Sequence, residues 1–162
     1  MMGSGKSSIG TTLAKRLDLR FADTDALVEQ ATGMTISAIF DERGEPWFRE
    51  EEERIVTELA TSGDPAVVAT GGGVVLSERN RDAMRGSGMV IWLFADLATL
   101  IGRVGMAEDR PLIGRANPVA SMDHLMVERY DLYSGVAERH VSTIEREIGD
   151  VVAEVEELWQ SR

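Results

Sequence analysis

The chain has 162 residues, enough for one domain, and a domain near this length hides roughly 70% of its unfolded surface. Lys and Arg number 17 against 28 Asp and Glu, a net charge of −11, which excludes a general nucleic-acid or anionic-membrane binder because each needs a basic field. With no Cys there are no disulfides, no thiolate catalysis and no Cys-ligated metal. No run approaches the length of an apolar membrane span, the start MMGSGKSS lacks the apolar core of a signal peptide, and a cytoplasmic protein is expected.

The chain opens on Gly3-Ser4-Gly5-Lys6-Ser7-Ser8, leading into the helical run IGTTLAKRL. Taken alone the string is also compatible with a flexible tail, but it looks like the second half of the phosphate loop G-x-x-x-x-G-K-[ST]. In such a loop glycines let backbone N–H groups wrap phosphate oxygens, and the helix N-terminus adds partial positive charge. The Lys reaches the β- and γ-phosphates and the next hydroxyl reaches Mg²⁺. Counted back from Gly5, the first glycine of the pattern falls before Met1. The chain therefore starts inside the loop, and the strand that normally precedes it, usually a central one, is expected to be absent.

A strand over 19–22 leads into Phe21-Ala22-Asp23-Thr24-Asp25. Aspartates at i and i+2 at the end of a strand face the crevice where open α/β sheets bind ligands, although Asp is also a favoured helix cap. Arg49 begins an acidic helix over 50–62 with Ile55, Val56 and Leu59 inward, and by itself reads as the helical ion-pair partner of Glu52 or Glu53. A strand over 66–69 runs into Gly71-Gly72-Gly73, where the entropic cost of glycine suggests backbone passing close to something. The run 89–94 (MVIWLF) is apolar throughout, as a strand covered on both faces should be. Leu97, Leu100, Ile101 and Val104 follow helical spacing. Residues 105–117, with Arg110-Pro111-Leu112, read as a surface loop or a lid. Arg129-Tyr130-Asp131-Leu132-Tyr133 lies in the next helix. A last strand over 140–143 precedes a helix whose stripe Ile148, Val151, Val152, Val155, Leu158 and Trp159 reads as core. This alternation predicts one α/β domain over 1–162 with a mostly parallel sheet.

Taken together and in this order, GSGKS, FxDTD, FR before an acidic helix, GGG, RPL and RYxLY resemble the shikimate kinase family over nearly the whole chain. The resemblance implies a three-layer α/β/α P-loop fold with a small lid. It also implies a monomer that moves the γ-phosphoryl group of ATP to the 3-hydroxyl of shikimate, on the route to chorismate and the aromatic amino acids. Carried over by motif, Gly3, Ser4, Gly5, Lys6, Ser7 and Ser8 would hold the ATP phosphates, with Lys6 taking part in catalysis. Ser7 and Asp23 would serve the Mg²⁺ ion. Asp25 would accept a hydrogen bond from the reacting hydroxyl and act as its base. Arg49 and Arg129 would clamp the substrate carboxylate, and Gly71, Gly72 and Gly73 would bring backbone against the substrate. Arg110 would close over the phosphates from the lid, with Glu108 and Asp109 facing solvent, and Arg103 and Arg146 would line the adenine. Two other readings stay open: an inactive relative acting by binding, and a kinase of another small hydroxy acid such as gluconate, since paired arginines specify a carboxylate rather than shikimate.

Overall fold

The computed structural model describes residues 1–104 and 117–161. Helix α1 (Lys6–Leu17) begins after Gly5 and is followed by β1 (Arg20–Asp23). β1 pairs in parallel with β2 (Ala66–Ala69), with Arg20 opposite Ala66 and Asp23 opposite Ala69. β3 (Ile91–Phe94) pairs in parallel with β4 (Arg139–Ser142). The ladders among the described residues are thus parallel, in two separate pairs rather than one sheet. A cleft of about 530 Å³ is walled by both β2 and β3, and by apolar side chains of α1 that include Ile9 and Leu13.

Strand 66–69 falls where its pattern places it, and β1 and β4 are displaced by one residue from the expected runs. β3 starts at Ile91 rather than 89 because Val90 enters the ladder only through its carbonyl, which accepts from the N–H groups of Glu138 and Arg139.

The helices after β1 are α2 (Thr24–Thr32), α3 (Ile36–Glu42) and α4 (Glu45–Thr61). α5 (Glu78–Ser87), α6 (Leu97–Val104), α7 (Pro118–Val136) and α8 (Ile148–Gln160) complete the set. α4 begins at Glu45 rather than 50, with Gly44 at its cap and Pro46 in its first turn, where proline loses no helical hydrogen bond. The short helices α2, α3 and α5 went unforeseen by periodicity, yet each starts on a side-chain cap: Asp23, Thr35 and Ser77 accept from backbone N–H groups of the first turn, satisfying donors the helix leaves open.

Helices cover the strands on two sides, giving the three layers. On one side α1 and α8 close over β3 and β4 through Ile9, Leu13, Leu93, Val141, Val151, Val152 and Val155. On the other, Val56, Val74, Val75, Leu100, Met122 and Tyr133 join α4, α6, α7 and the turn at Val74–Leu76. A third cluster, Val28, Ile39, Phe48 and Ile55, ties α2 and α3 to α4. Full burial of each such side chain favours the fold by about 1.5–3 kcal/mol. The expected stripe of α8 is corrected at its ends: Ile148 and Trp159 are exposed, because these terminal positions overhang the elements that bury Val151, Val152 and Val155.

Candidate active site

The loop before α1 places Gly3 and Gly5 at φ 76° and 87°. The first turn of α1 carries no acidic side chain of its own, so no carboxylate from within the helix caps its N-terminal N–H groups and partial positive charge. Ser4 is fully buried, and its hydroxyl donates to the Met1 carbonyl at 2.8 Å; Lys6 Nζ donates to the same oxygen at 2.6 Å. The Ser7 hydroxyl donates to Asp23 Oδ2 at 2.8 Å. The other oxygen of Asp23 accepts from the Asp25 N–H at 3.1 Å. Asp23 therefore caps α2 and faces Ser7 at once, so the two readings of this residue are compatible.

The glycine run meets the opposite wall. Gly71 N–H donates to the buried Thr24 hydroxyl at 2.9 Å. A Cβ at Gly71 would lie 2.5 Å from Asp25 Oδ1 and 2.7 Å from Glu52 Oε1, and one at Gly73 would lie 2.2 Å from two nitrogens of Arg49. These two glycines are required by approach: the carboxylates and the guanidinium occupy the space a side chain would take. The Gly72 carbonyl accepts from Arg129 Nη1 at 3.1 Å and, in a very short bond, from the Tyr133 hydroxyl.

Arg49 donates from Nε and Nη2 to Glu45 Oε1 at 3.1 and 2.9 Å, and from Nη1 to Glu52 Oε2 at 2.7 Å. Burial opposes its charge, but the Glu52 and Glu45 carboxylates prevail and its pKa is raised. Arg129 is 3% exposed, and among the described residues its Nε has no partner. Burial pushes the Tyr133 hydroxyl up to about 12, so it stands as a neutral donor.

Every proposed site residue among those described lines one cleft of about 900 Å³: the loop from Gly3 to Ser8, Asp23, Asp25, Arg49, Gly71, Gly72, Gly73, Arg103, Arg129 and Arg146. Arg103 is anchored on Thr143, at 2.9 Å to its hydroxyl and 2.5 Å to its carbonyl. Arg146 is held by Glu154 at 2.5 Å and the Ser142 carbonyl at 3.1 Å. Arg110, with Glu108, Asp109 and the lid assignment for 105–116, lies outside the described residues.

The residue that sequence reasoning underrated is Glu52, seen there only as an ion-pair partner of Arg49. It is 1% exposed, it lines the cleft, and burial raises its pKa against the opposing pull of Arg49. The signal was present: on α4, Glu52 stands i+4 from Phe48 and i−3 from Ile55, inside the apolar stripe those two residues define. Tyr133 belonged to a quoted motif but was given no role.

A cleft lined by a glycine-rich loop, a helix N-terminus and a lysine, together with the guanidinium groups of Arg49 and Arg129, has the make-up of a P-loop phosphotransferase acting on a small anionic acceptor. Comparison with known proteins narrows this class. The sequence matches the family model "Shikimate kinase" over residues 2–159. It is 43% identical to the shikimate kinase of Pseudomonas entomophila over 98% of this chain and 92% of that one. It is 42% identical to that of Symbiobacterium thermophilum over 100% and 94%. The fold matches a solved structure of shikimate kinase from Acinetobacter baumannii in complex with shikimate at TM-score 0.95 and 33% identity, covering 99% of this chain and 89% of that one. It matches the Bacteroides thetaiotaomicron enzyme at TM-score 0.89 and 27% identity, covering 99% and 94%. The chain belongs to the shikimate kinase family.

Proposed function

We propose that this cleft carries out the family reaction, moving the γ-phosphoryl group of ATP to the 3-hydroxyl of shikimate. The observation that carries the reading is the pairing of Arg129 and Arg49 around the glycine run, in the same cleft as the phosphate loop. Among the described residues the buried Nε–H of Arg129 has no partner, and a buried donor left unmatched is costly unless a ligand takes it. A carboxylate suits it, because the guanidinium fork pairs with two oxygens at once.

In this reading Asp25, whose Oδ1 faces Gly71, takes the proton of the hydroxyl as its oxygen bonds to the γ-phosphorus and the bond to the β-phosphate oxygen breaks. The loop N–H groups and Lys6 carry the phosphate charge. Such transfer relies on placement and charge neutralisation more than on covalent help. Ser7 and Asp23, a hydroxyl and a carboxylate in contact, form a hard-oxygen pair suited to Mg²⁺, which would neutralise phosphate charge there. Among the described residues no group of three or more His, Cys, Asp or Glu stands ready to hold a metal. Arg103 and Arg146 would line the adenine, and Arg110, outside the described residues, would close over the phosphates. The chain acts as a single kinase domain and a monomer in the cytoplasm; no helix of the described residues is long and apolar enough to cross a membrane.

The test is Arg129→Ala. Losing one partner of a buried, hydrogen-bonded charge pair costs about 2 kcal/mol or more, so KM for shikimate rises about 30-fold or more while KM for ATP stays near its original value. Equal rises for both substrates would contradict the clamp.

A further inference from the structure

The glycine run on the substrate wall is fixed by side chains from other elements. Gly71 is pinned through its N–H, which donates to the Thr24 hydroxyl at 2.9 Å. Gly72 is pinned through its carbonyl, which accepts from Arg129 Nη1 at 3.1 Å and from the Tyr133 hydroxyl. A carbonyl has two lone pairs and can take both donors. Arg129 and Tyr133 stand i and i+4 on α7, so they leave the helix on one face, a turn apart.

The two donors differ in stiffness. Arginine reaches its partner over a long stem with many rotamers, and ordering that stem is costly. Tyrosine has two side-chain torsions, and here its ring is buried and stacked on the Trp92 indole, with centroids 5.6 Å apart and planes 15° apart. Trp92 is braced in turn by Tyr130 and His140, edge-on at 5.1 and 5.3 Å. Because burial keeps the Tyr133 hydroxyl protonated, it donates across the pH range of ordinary assays. Gly72 and Arg129 line the cleft, whereas Tyr133 stands behind that wall.

The orientation of the Arg129 guanidinium follows the Gly72 carbonyl, because Nη1 is spent on that oxygen. Glycine leaves the peptide unit free to turn, and a flexible arginine alone would turn with it. The hydroxyl on the stacked ring removes this freedom.

We propose that Tyr133 is a positioning residue for the acceptor: its hydroxyl fixes the Gly72 carbonyl and, through it, sets the orientation in which Arg129 meets the ligand carboxylate. Tyr133 touches no substrate in this arrangement and acts on acceptor affinity by way of Arg129. The inference rests on the Arg129 clamp of the proposed function.

The test is a double-mutant cycle in steady-state kinetics on the wild-type chain, Tyr133→Phe, Arg129→Ala and the double variant, with thermal melts of each. Tyr133→Phe keeps the ring and its stack and removes only the hydroxyl. It is expected to raise KM for shikimate by about fivefold to tenfold, the net worth of one hydrogen bond. Its kcat and its KM for ATP stay within about twofold of the wild type. In the Arg129→Ala background the same change adds less than about twofold to KM for shikimate, because the residue it acts through is gone. An unchanged KM in Tyr133→Phe would overturn the proposal and leave the clamp standing. So would the full effect persisting without Arg129, which would make Tyr133 act by another route. Equal rises in KM for both substrates, or a Tyr133→Phe chain that no longer folds, would make the hydroxyl a general strut and overturn it too. If Arg129→Ala itself leaves KM for shikimate unaltered, both the clamp and the proposal resting on it fall.

Discussion

Asp25 and Arg129 were legible in the sequence because their chemistry belongs to their residue type: a carboxylate just past a strand end and a cation in a family motif. Glu52 was not, because it sits in the run Glu50-Glu51-Glu52-Glu53, which reads as a solvated face. Only the phase of α4 separates its members, turning Glu52 inward while Glu53 meets Ser77 and Arg79 at the surface. The base assignment is testable on its own. Asp25→Asn is expected to lower kcat by about 10²-fold or more, the usual contribution of a placed general base, with KM for ATP little altered. Near-normal kcat in that variant would remove Asp25 from the role.

At the scale of elements, the glycine run after β2 separates closeness from mere permissiveness. A Cβ at Gly73 would fall within 2.4 Å of the Arg49 guanidinium carbon, whereas one at Gly72 meets nothing nearer than 3.7 Å. Because the Arg49 tip can swing away, Gly73→Ala is expected to cost little stability but to displace the clamp, raising KM for shikimate by about tenfold, equivalent to about 1.4 kcal/mol. Gly72→Ala should change it far less, and kinetics on the pair with thermal melts as control would decide. The sequence pointed to the whole run without ranking its members, because the difference lies in which side chain crosses from another element. The same limit applied to α2, α3 and α5. They are 9, 7 and 10 residues long, too short for a clear apolar period, and their caps at Asp23, Thr35 and Ser77 were the better signal. β2 was found because it is an apolar run ending on the glycines.

Across the whole molecule, the parallel pairs β1 with β2 and β3 with β4, with α1 leading out of the phosphate loop, bring every described candidate residue to one cleft. The class of fold was legible because strands and helices alternate along the chain. The separation of the strands into two pairs was not, since which strands pair is decided by contacts far apart in sequence. Stability should carry the mark of Glu52. Its folded pKa is raised by burial, so the folded state holds this proton more tightly than the unfolded chain. That contribution is fully present below the ordinary glutamate value of about 4.3, and is lost as pH rises through the folded value. Relative to Glu52→Gln, the wild-type chain is therefore expected to lose stability over that interval, measured by denaturant unfolding at a series of pH values; a constant difference would show that burial does not perturb this carboxyl. The most direct test of the central claim is ADP release from MgATP, followed by a coupled assay with shikimate, with gluconate and with no acceptor. The account predicts turnover that depends on shikimate, with gluconate no better than the blank. Equal turnover on gluconate, or none on shikimate by the folded chain, would contradict it.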